Sequence, residues 1–300
     1  MNQYGKVAVL MGGWSAEREV SLKSGKAVHD ALLKKGVDAV AIDANRDIHH
    51  QLGGFDRVFN IMHGRGGEDG VIQGLLEILQ VPYTGTGVLG SALCMDKLLT
   101  KQLWKGIGLP TPDYCILASE EDCKAAVEKL GLPLMIKPVL EGSSIGMSKV
   151  SRADDMVAAW KLANKYCRTV IAEKFIKGSE YTAAVLGQKI LPMIRLETPR
   201  DFYDYKAKYD DEATKYHCPC GLSAVKEKEL AELVLQSFAS VHGQGWGRVD
   251  FMLDDQQRPW LIEVNTVPGM TDHSLVPMAA KQAGISFEDL VIEILKGTLR

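Results

Sequence analysis

Four side chains near the C-terminus have the types and spacing to hold a metal and an anion together: Arg248, Asp250, Glu263 and Asn265. They stand in two hydrophobic runs, Gly247-Arg-Val-Asp-Phe-Met-Leu253 and Pro259-Trp-Leu-Ile-Glu-Val-Asn265, joined by the turn-like Asp254-Asp-Gln-Gln-Arg258. Alternate residues of a strand share a face, so Glu263 and Asn265 point the same way and a hairpin would bring Asp250 beside them. Three hard oxygen ligands suit magnesium, which leaves the rest of its octahedron to waters and substrate phosphates. The pattern points to nucleotide chemistry. A half-exposed hairpin with three polar residues facing water would show the same alternation, so the cluster needs support from elsewhere in the chain.

That support comes from glycine-rich loops. Glu141-Gly-Ser-Ser-Ile-Gly146 follows an apolar run carrying Lys137, and its glycines let backbone N–H groups wrap phosphate oxygens while the lysine adds a point charge. It is not a Walker A loop, because Gly-x-x-x-x-Gly-Lys-Ser/Thr is absent. Gly12-Gly-Trp-Ser-Ala-Glu17 likewise lacks Gly-x-Gly-x-x-Gly, and its remaining uses are an anion at a helix N-terminus or an amine on Glu17. His63 opens His63-Gly-Arg-Gly-Gly-Glu-Asp-Gly70 after an apolar run, at the carboxyl edge of a sheet, where open α/β proteins bind ligands. The stretch 200–211 has no clean period but carries three tyrosines and Phe202, which favours a lid over disorder.

The elements that must position these groups follow from hydrophobic period. Residues 6–11 read as a buried strand, followed by a helix with Val20, Ala27, Val28, Ala31 and Leu32 on one face and ended by Gly36. Strands at 37–42 and 57–62 and a helix at 70–80 complete an open α/β unit with a parallel sheet. An amphipathic helix between Asp96 and Pro110 leads to a second unit. It comprises strands at 114–117, 134–138 and 169–175 with helices at 121–130 and 154–166. A third unit has strands at 181–186 and 189–196, a helix at 226–241, the hairpin and two terminal helices.

Composition sets outer limits. The chain has 300 residues, 46% hydrophobic and 24% charged, enough for two or three lobes. A net charge of -3, with basic residues scattered, gives no general attraction to nucleic acid. About five apolar residues precede Gly12, too few for a secretory or membrane segment, so a cytoplasmic protein with no membrane partner is expected. Six cysteines without a CxxC pair read as free thiols, and His217-Cys-Pro-Cys220 is too tightly spaced for an ordinary zinc site.

A phosphate loop, a magnesium cluster, an adjacent arginine and a lid are the equipment of phosphoryl transfer. At this point the chain resembles the D-alanine:D-alanine ligases of the ATP-grasp superfamily. The resemblance rests on seven ordered segments: residues 12–22, 63–70, Met95-Asp-Lys97, Lys137-Pro with Glu141-Gly-Ser-Ser-Ile-Gly-Met147, Tyr203-Asp-Tyr-Lys-Ala-Lys-Tyr209, Gly247-Arg-Val-Asp250, and Glu263-Val-Asn-Thr-Val-Pro-Gly-Met270. Trp14 and Phe175 depart from the residues such enzymes often carry there, a small residue and tryptophan.

The resemblance implies an ATP-grasp fold of the α/β class. An N-terminal α/β substrate domain spans 1–95, a central lobe 96–180, and a C-terminal lobe 181–300 carries a lid at 200–220. It implies that D-alanine and ATP are the substrates, that D-alanyl-D-alanine forms through a D-alanyl phosphate with release of ADP and phosphate, and that the product serves peptidoglycan synthesis. Magnesium, with manganese as a substitute and two ions expected, would sit on Asp250, Glu263 and Asn265. ATP would be held by Lys97, Lys137, Glu141, Ser143, Ser144, Glu173, Phe175, Ile176, Glu180 and Lys208. Glu17 and His63 would take the first D-alanine, and Lys208 and Ser274 the second carboxylate. Arg248 and Gly269 would form the oxyanion hole, and Tyr209 would link through Ser143 to Glu17. A homodimer is what the family suggests. Rival readings are a D-alanine:D-lactate or other carboxylate-amine ligase of the superfamily and, more distantly, an NAD-dependent oxidoreductase drawn from the opening strand, glycines and helix.

Overall fold

The computed structural model describes residues 3–198 and 214–299, and its strands form three sheets. The first is parallel, in the order β2-β1-β3, with β1 at Lys6–Gly12, β2 at Asp38–Ala44 and β3 at Arg57–Asn60. Strand β1 is buried at every position after Lys6 because helices cover both faces. Val7, Val9 and Met11 meet the helix Arg18–Lys34 and the C-terminal helix Phe287–Lys296, while Ala8 and Leu10 face Ile72 and Leu76 of the helix Val71–Ile78.

The helix after Glu17 differs from expectation. Its buried face opens with Ser21, Ser24 and Gly25 before Val28, Ala31 and Leu32, and Val20 and Ala27 are only partly covered. The cause is close approach to the sheet edge. A Cβ on Gly25 would lie 2.4 Å from Met11 Cβ, and the Ser21 hydroxyl accepts the Gly12 N–H at 2.8 Å and donates to the Ile61 carbonyl at 2.7 Å. Backbone groups leaving a sheet need hydrogen-bond partners, and serines supply them where leucines could not.

The second sheet is antiparallel, in the order β4-β7-β5-β6, with β4 at Tyr114–Leu117, β5 at Leu134–Pro138, β6 at Ser148–Val150 and β7 at Val170–Lys174. Leu134, Ile136, Val170 and Ala172 pack under the helices Glu121–Leu130 and Met156–Asn164. By alternation, Met135, Lys137 and Glu173 face the other way, into a cleft.

The third sheet runs β11-β10-β8-β12-β13, with a short β9 also on β8. Its strands are β8 at Gly178–Leu186, β9 at Lys189–Ile190, β10 at Ile194–Glu197, β11 at Lys215–His217, β12 at Trp246–Asp254 and β13 at Pro259–Asn265. The single strand expected at 189–196 is thus two, interrupted around Pro192, which has no N–H for a ladder. Other elements went unforeseen, among them β6, β11 and a helix at Val88–Met95.

Packing joins segments far apart in the chain. Trp104, from the helix Lys97–Gly106, lies in the core beneath the third sheet with Phe238, Val249 and Phe251. The helices Leu275–Gln282 and Phe287–Lys296 share a core with the first sheet.

Candidate active site

The second and third sheets face each other across a cleft of about 300 Å3, within the usual range for small-molecule sites. Lys97, Lys137, Ser144, Glu173, Phe175, Ile176, Glu180, Asp250 and Glu263, all anticipated from sequence, line it. Met135, Met147, Leu196, Met252 and Ile262 give it apolar walls. Lys149 holds its ammonium 4.5 Å from the centre of the Phe175 ring, and the Phe175 N–H donates to the Pro133 carbonyl.

The hairpin forms the floor on the expected side. In register, Arg248 opposes Asn265 and Asp250 opposes Glu263, so the four side chains share one face. The register then shifts by one residue, and Phe251 opposes Leu261. This bulge sets Ile262 and Glu263, consecutive residues, both against the cleft, which strict alternation would forbid. Arg248 grips Asp250 with both arms, Nε to Oδ1 at 2.8 Å and Nη2 to Oδ2 at 2.7 Å, and Thr182 donates to Oδ1 at 2.6 Å. A carboxylate has about four lone-pair sites, so Asp250 keeps acceptor capacity. Asn265 Oδ1 accepts the Val267 N–H at 3.1 Å.

Lys97 ties floor to loop: its ammonium lies 3.2 Å from Glu263 and donates to the Glu141 carbonyl at 2.7 Å. On the opposite wall, Lys137 meets Glu173 at 2.9 Å, so Lys137 serves the same point of the cleft as that carboxylate. Burial acts to raise the Glu173 pKa, but Lys101 and Lys137 outweigh it and hold the carboxyl below its usual range.

A second constellation lies where the first sheet's loops meet the Glu141–Gly146 turn. Ser143 donates a short hydrogen bond to Glu17, and a Cβ on Gly142 would lie 2.8 Å from the same carboxylate, so a side chain there would push the Glu17 carboxylate aside. Ser143 and Ser144 hold left-handed backbone at φ 50° and 60°, a mild strain of the kind that concentrates at ligand loops. Arg65 reaches Glu141 at 2.8 Å, linking the His63 loop to this turn.

His63 is buried. Its Nε2 lies 3.3 Å from Ser24 Oγ and its Nδ1 3.7 Å from Glu68. Burial pushes the Glu68 carboxyl up, His63 pulls it back, and the nearby Glu17 charge adds to the rise. Ser24 also accepts the Met270 N–H at 3.1 Å, joining His63 to the turn at Gly269. A Cβ on Gly269 would meet Ser274 Oγ at 2.9 Å, and Ser274 opens the helix Leu275–Gln282. Trp14 packs on Gly66, where a Cβ would sit 2.2 Å from its ring, and under Arg46.

Lys208 and Tyr209 lie outside the described residues. Sequence reasoning missed Lys101, Thr111, Thr182 and Ser24. Lys101 had a legible signal, standing four residues after Lys97 and thus on the same helix face. His217 pairs with Glu197 at 2.9 Å and the Cys220 thiol with Glu227 at 3.1 Å, which uses that motif in local contacts. Among the described residues no cluster of three or more His, Cys, Asp or Glu side chains could hold a metal ion, so Asn265 has to complete any set at the hairpin.

Comparison with known proteins decides the family. The D-ala D-ala ligase C-terminus model matches residues 103–296 and the N-terminus model residues 43–86. The chain belongs to the D-alanine–D-alanine ligase family. A D-alanine–D-alanine ligase of Pseudomonas entomophila is 58% identical over 97% of this chain and 92% of its own. A crystal structure of the Bacillus anthracis D-alanine–D-alanine ligase complexed with ATP superposes with a TM-score of 0.86 at 34% identity, covering 99% of this chain and 97% of that one. The VanG D-Ala:D-Ser ligase of Enterococcus faecalis gives a TM-score of 0.86 at 30% identity, with 99% of both chains covered. The three sheets are therefore those of the ATP-grasp fold that D-alanine–D-alanine ligases share.

Proposed function

We propose that this protein joins two D-alanines into D-alanyl-D-alanine at the expense of ATP. The observation that carries the reading is the position of one turn: Glu141 is held by Lys97, which pairs with Glu263 in the nucleotide cleft, and two residues on Ser143 is bonded to Glu17. A nucleotide in the cleft and an amino acid whose ammonium meets Glu17 would be brought together under that turn. Binding two reactants in such an arrangement removes much of the entropic barrier.

The first step forms a bond from a D-alanine carboxylate oxygen to the γ-phosphorus and breaks the bond to ADP. Lys97 and Lys137 hold the phosphates, Glu173, Phe175 and Ile176 the adenine, and Glu180 the ribose. The Gly142–Gly146 backbone caps the reacting group. In the second step the amine of the other D-alanine attacks the acyl carbon, and phosphate leaves from a tetrahedral oxyanion. Arg248, fixed by the two hydrogen bonds it donates to Asp250, and the Gly269 N–H stabilise that oxyanion, and donors oriented beforehand are worth most. Ser274 receives the second carboxylate and His63 assists beside Glu17; Lys208 and Tyr209, to which the family resemblance gives roles at the second carboxylate and beside Ser143, lie outside the described residues.

Asp250, Glu263 and Asn265 offer hard oxygens on one face of the hairpin, a set that fits one or two magnesium ions, or manganese. Bound there, the metal would neutralise charge developing on the transferring phosphoryl group. Exposed apolar residues on neighbouring helices, Val71, Ile78, Val88 and Leu89, support a homodimer. No helix among the described residues is long and apolar enough to cross a membrane, and six free cysteines suit the reducing cytoplasm, where we place the protein.

Phosphate release from ATP, measured with and without D-alanine, tests the reading. Turnover dependent on D-alanine, lowered at least about 1000-fold by Asp250→Ala, is expected; release indifferent to D-alanine would refute it. The D-Ala:D-Ser relative shares the whole fold, so the second substrate is tested separately by offering D-serine and D-lactate, with D-alanine expected to be preferred.

A further inference from the structure

Behind the cleft wall lies a lysine, outside the cavity lining, that forms an ion pair with the lining residue Glu173. Lys101 is 1% exposed, on the buried face of the helix Lys97–Gly106. Its ammonium sits 2.7 Å from Glu173 Oε2, while Lys137 occupies Oε1 at 2.9 Å. It also donates to Thr111 Oγ1 at 2.9 Å, and Thr111 donates to the Leu261 carbonyl at 2.9 Å. Leu261 precedes the bulged pair Ile262 and Glu263 on β13. One buried cation thus connects a carboxylate of the second sheet to the strand of the third that carries Glu263.

We infer that Lys101 is a positioning residue of the nucleotide site, holding the Glu173 carboxylate as a fixed acceptor and, through Thr111, fixing it relative to the Glu263 strand. The inference rests on the reading that Glu173 meets the adenine.

Physical cost argues for such a role. A wholly buried lysine pays a large desolvation penalty, and an apolar side chain of similar volume is often equal or better for stability. What the apolar residue could not do is occupy one carboxylate oxygen from behind while the other group in the ion triplet, Lys137, reaches the cleft. With a cation on each oxygen, Glu173 stays ionised and can only accept hydrogen bonds. An acceptor-only group favours a purine bearing an exocyclic amine over one bearing an oxo group at the same position. Lys101 would therefore support both affinity for ATP and preference over GTP. Burial pushes the Lys101 ammonium down to about 8, against the pull of Glu173, so the connection should weaken in alkaline buffer.

Calorimetric binding of ATP and of GTP with magnesium to the full chain, alongside the KM for D-alanine, tests the inference. Lys101→Met should weaken ATP about tenfold, shrink the ATP-over-GTP preference and leave the D-alanine KM within about twofold, the size expected for losing a hydrogen bond to a charged group. In a Glu173→Gln background the same substitution should add nothing, since its effect runs through that carboxylate. An undiminished effect there, or D-alanine and ATP affinities falling together, would mean a purely structural lysine. Unchanged ATP binding in Glu173→Gln alone would instead overturn the placement of adenine. Thr111→Val keeps every charge and covers the case in which Lys101→Met fails to fold. It should weaken ATP about threefold, and unaltered binding would remove the tie to the hairpin.

Discussion

At the proposed nucleotide end of the cleft, charged groups sit on strands and on the helix Lys97–Gly106 and are held by opposite charges: Arg248 on Asp250, Lys97 on Glu263, Lys101 and Lys137 on Glu173. At the Glu17 end, loops and a helix edge carry the chemistry, and hydroxyls and backbone amides do the holding: Ser143 on Glu17, Ser24 between His63 and Met270. The contrast follows from what each ligand would bring. A triphosphate delivers several negative charges at once, so its cradle must keep cations in place without ligand, and buried carboxylates do that. An amino acid delivers one ammonium and one carboxylate, for which a single carboxylate steadied by neutral donors suffices.

Energetics differ accordingly. Breaking a buried ion pair strands a charge and costs about 3–5 kcal/mol, whereas deleting a neutral hydroxyl bond costs about 1 kcal/mol. The two ends should therefore respond to mutation on different scales.

The largest effect is expected at Arg248. Arg248→Ala leaves Asp250 with Thr182 as its hydroxyl donor and removes the oxyanion donor we propose, so turnover should fall about 1000-fold and stability by about 3 kcal/mol. Arg248→Lys should recover little, since an ammonium cannot reproduce the two-armed grip. Steady-state kinetics and thermal unfolding of both variants check this; a loss of turnover under tenfold would show that the ion-paired end is less committed than its geometry implies.

An intermediate effect belongs to Glu17. Glu17→Gln keeps an acceptor for Ser143 but not the charge that would meet an ammonium, so the KM for the first D-alanine should rise about 30-fold while ATP affinity stays within about twofold. Should ATP binding fall in step, the two ends would be one coupled unit, and the contrast between them would fail.

This division also explains which parts of the molecule were legible in sequence. Strand alternation exposed Asp250, Glu263 and Asn265, and the glycine loops marked Ser143 and His63, because both signals are local. The bulge at Ile262 was hidden, since Ile262 only extends the apolar run Trp260-Leu261 and a slip of one residue leaves no compositional trace. Lys101 went unread despite its spacing from Lys97, because a lysine on an amphipathic helix reads as solvated; the partner Glu173 that makes it interior is 72 positions away in the chain. Ser21 and Ser24 were assigned to no face because small polar residues carry no hydrophobic period, yet they are wholly buried. The helix Val88–Met95 escaped for a related reason: Gly90 lies against the Val241 carbonyl, where a Cβ would come within 2.7 Å, so its burial depends on contact with a distant segment.

Ser24 offers the finest test of the contrast. Its hydroxyl accepts the Met270 N–H and has one proton to give; donated to His63 Nε2, that proton leaves Nδ1–H facing Glu68. Ser24→Ala removes both bonds and orphans an amide adjoining Gly269, the residue whose N–H we assign to the oxyanion. Turnover should drop about fivefold and stability by about 1 kcal/mol, with ATP affinity unchanged, as fits a neutral bond replaced by nothing. Ser24→Thr restores the hydroxyl but adds a methyl group in a fully buried place, so it should recover turnover while losing stability, separating the hydrogen bond from the packing. A drop in Ser24→Ala as deep as that of Arg248→Ala would mean that neutral hydroxyls hold this end as firmly as ion pairs hold the other, and the distinction between the two ends would then lie in the ligands alone.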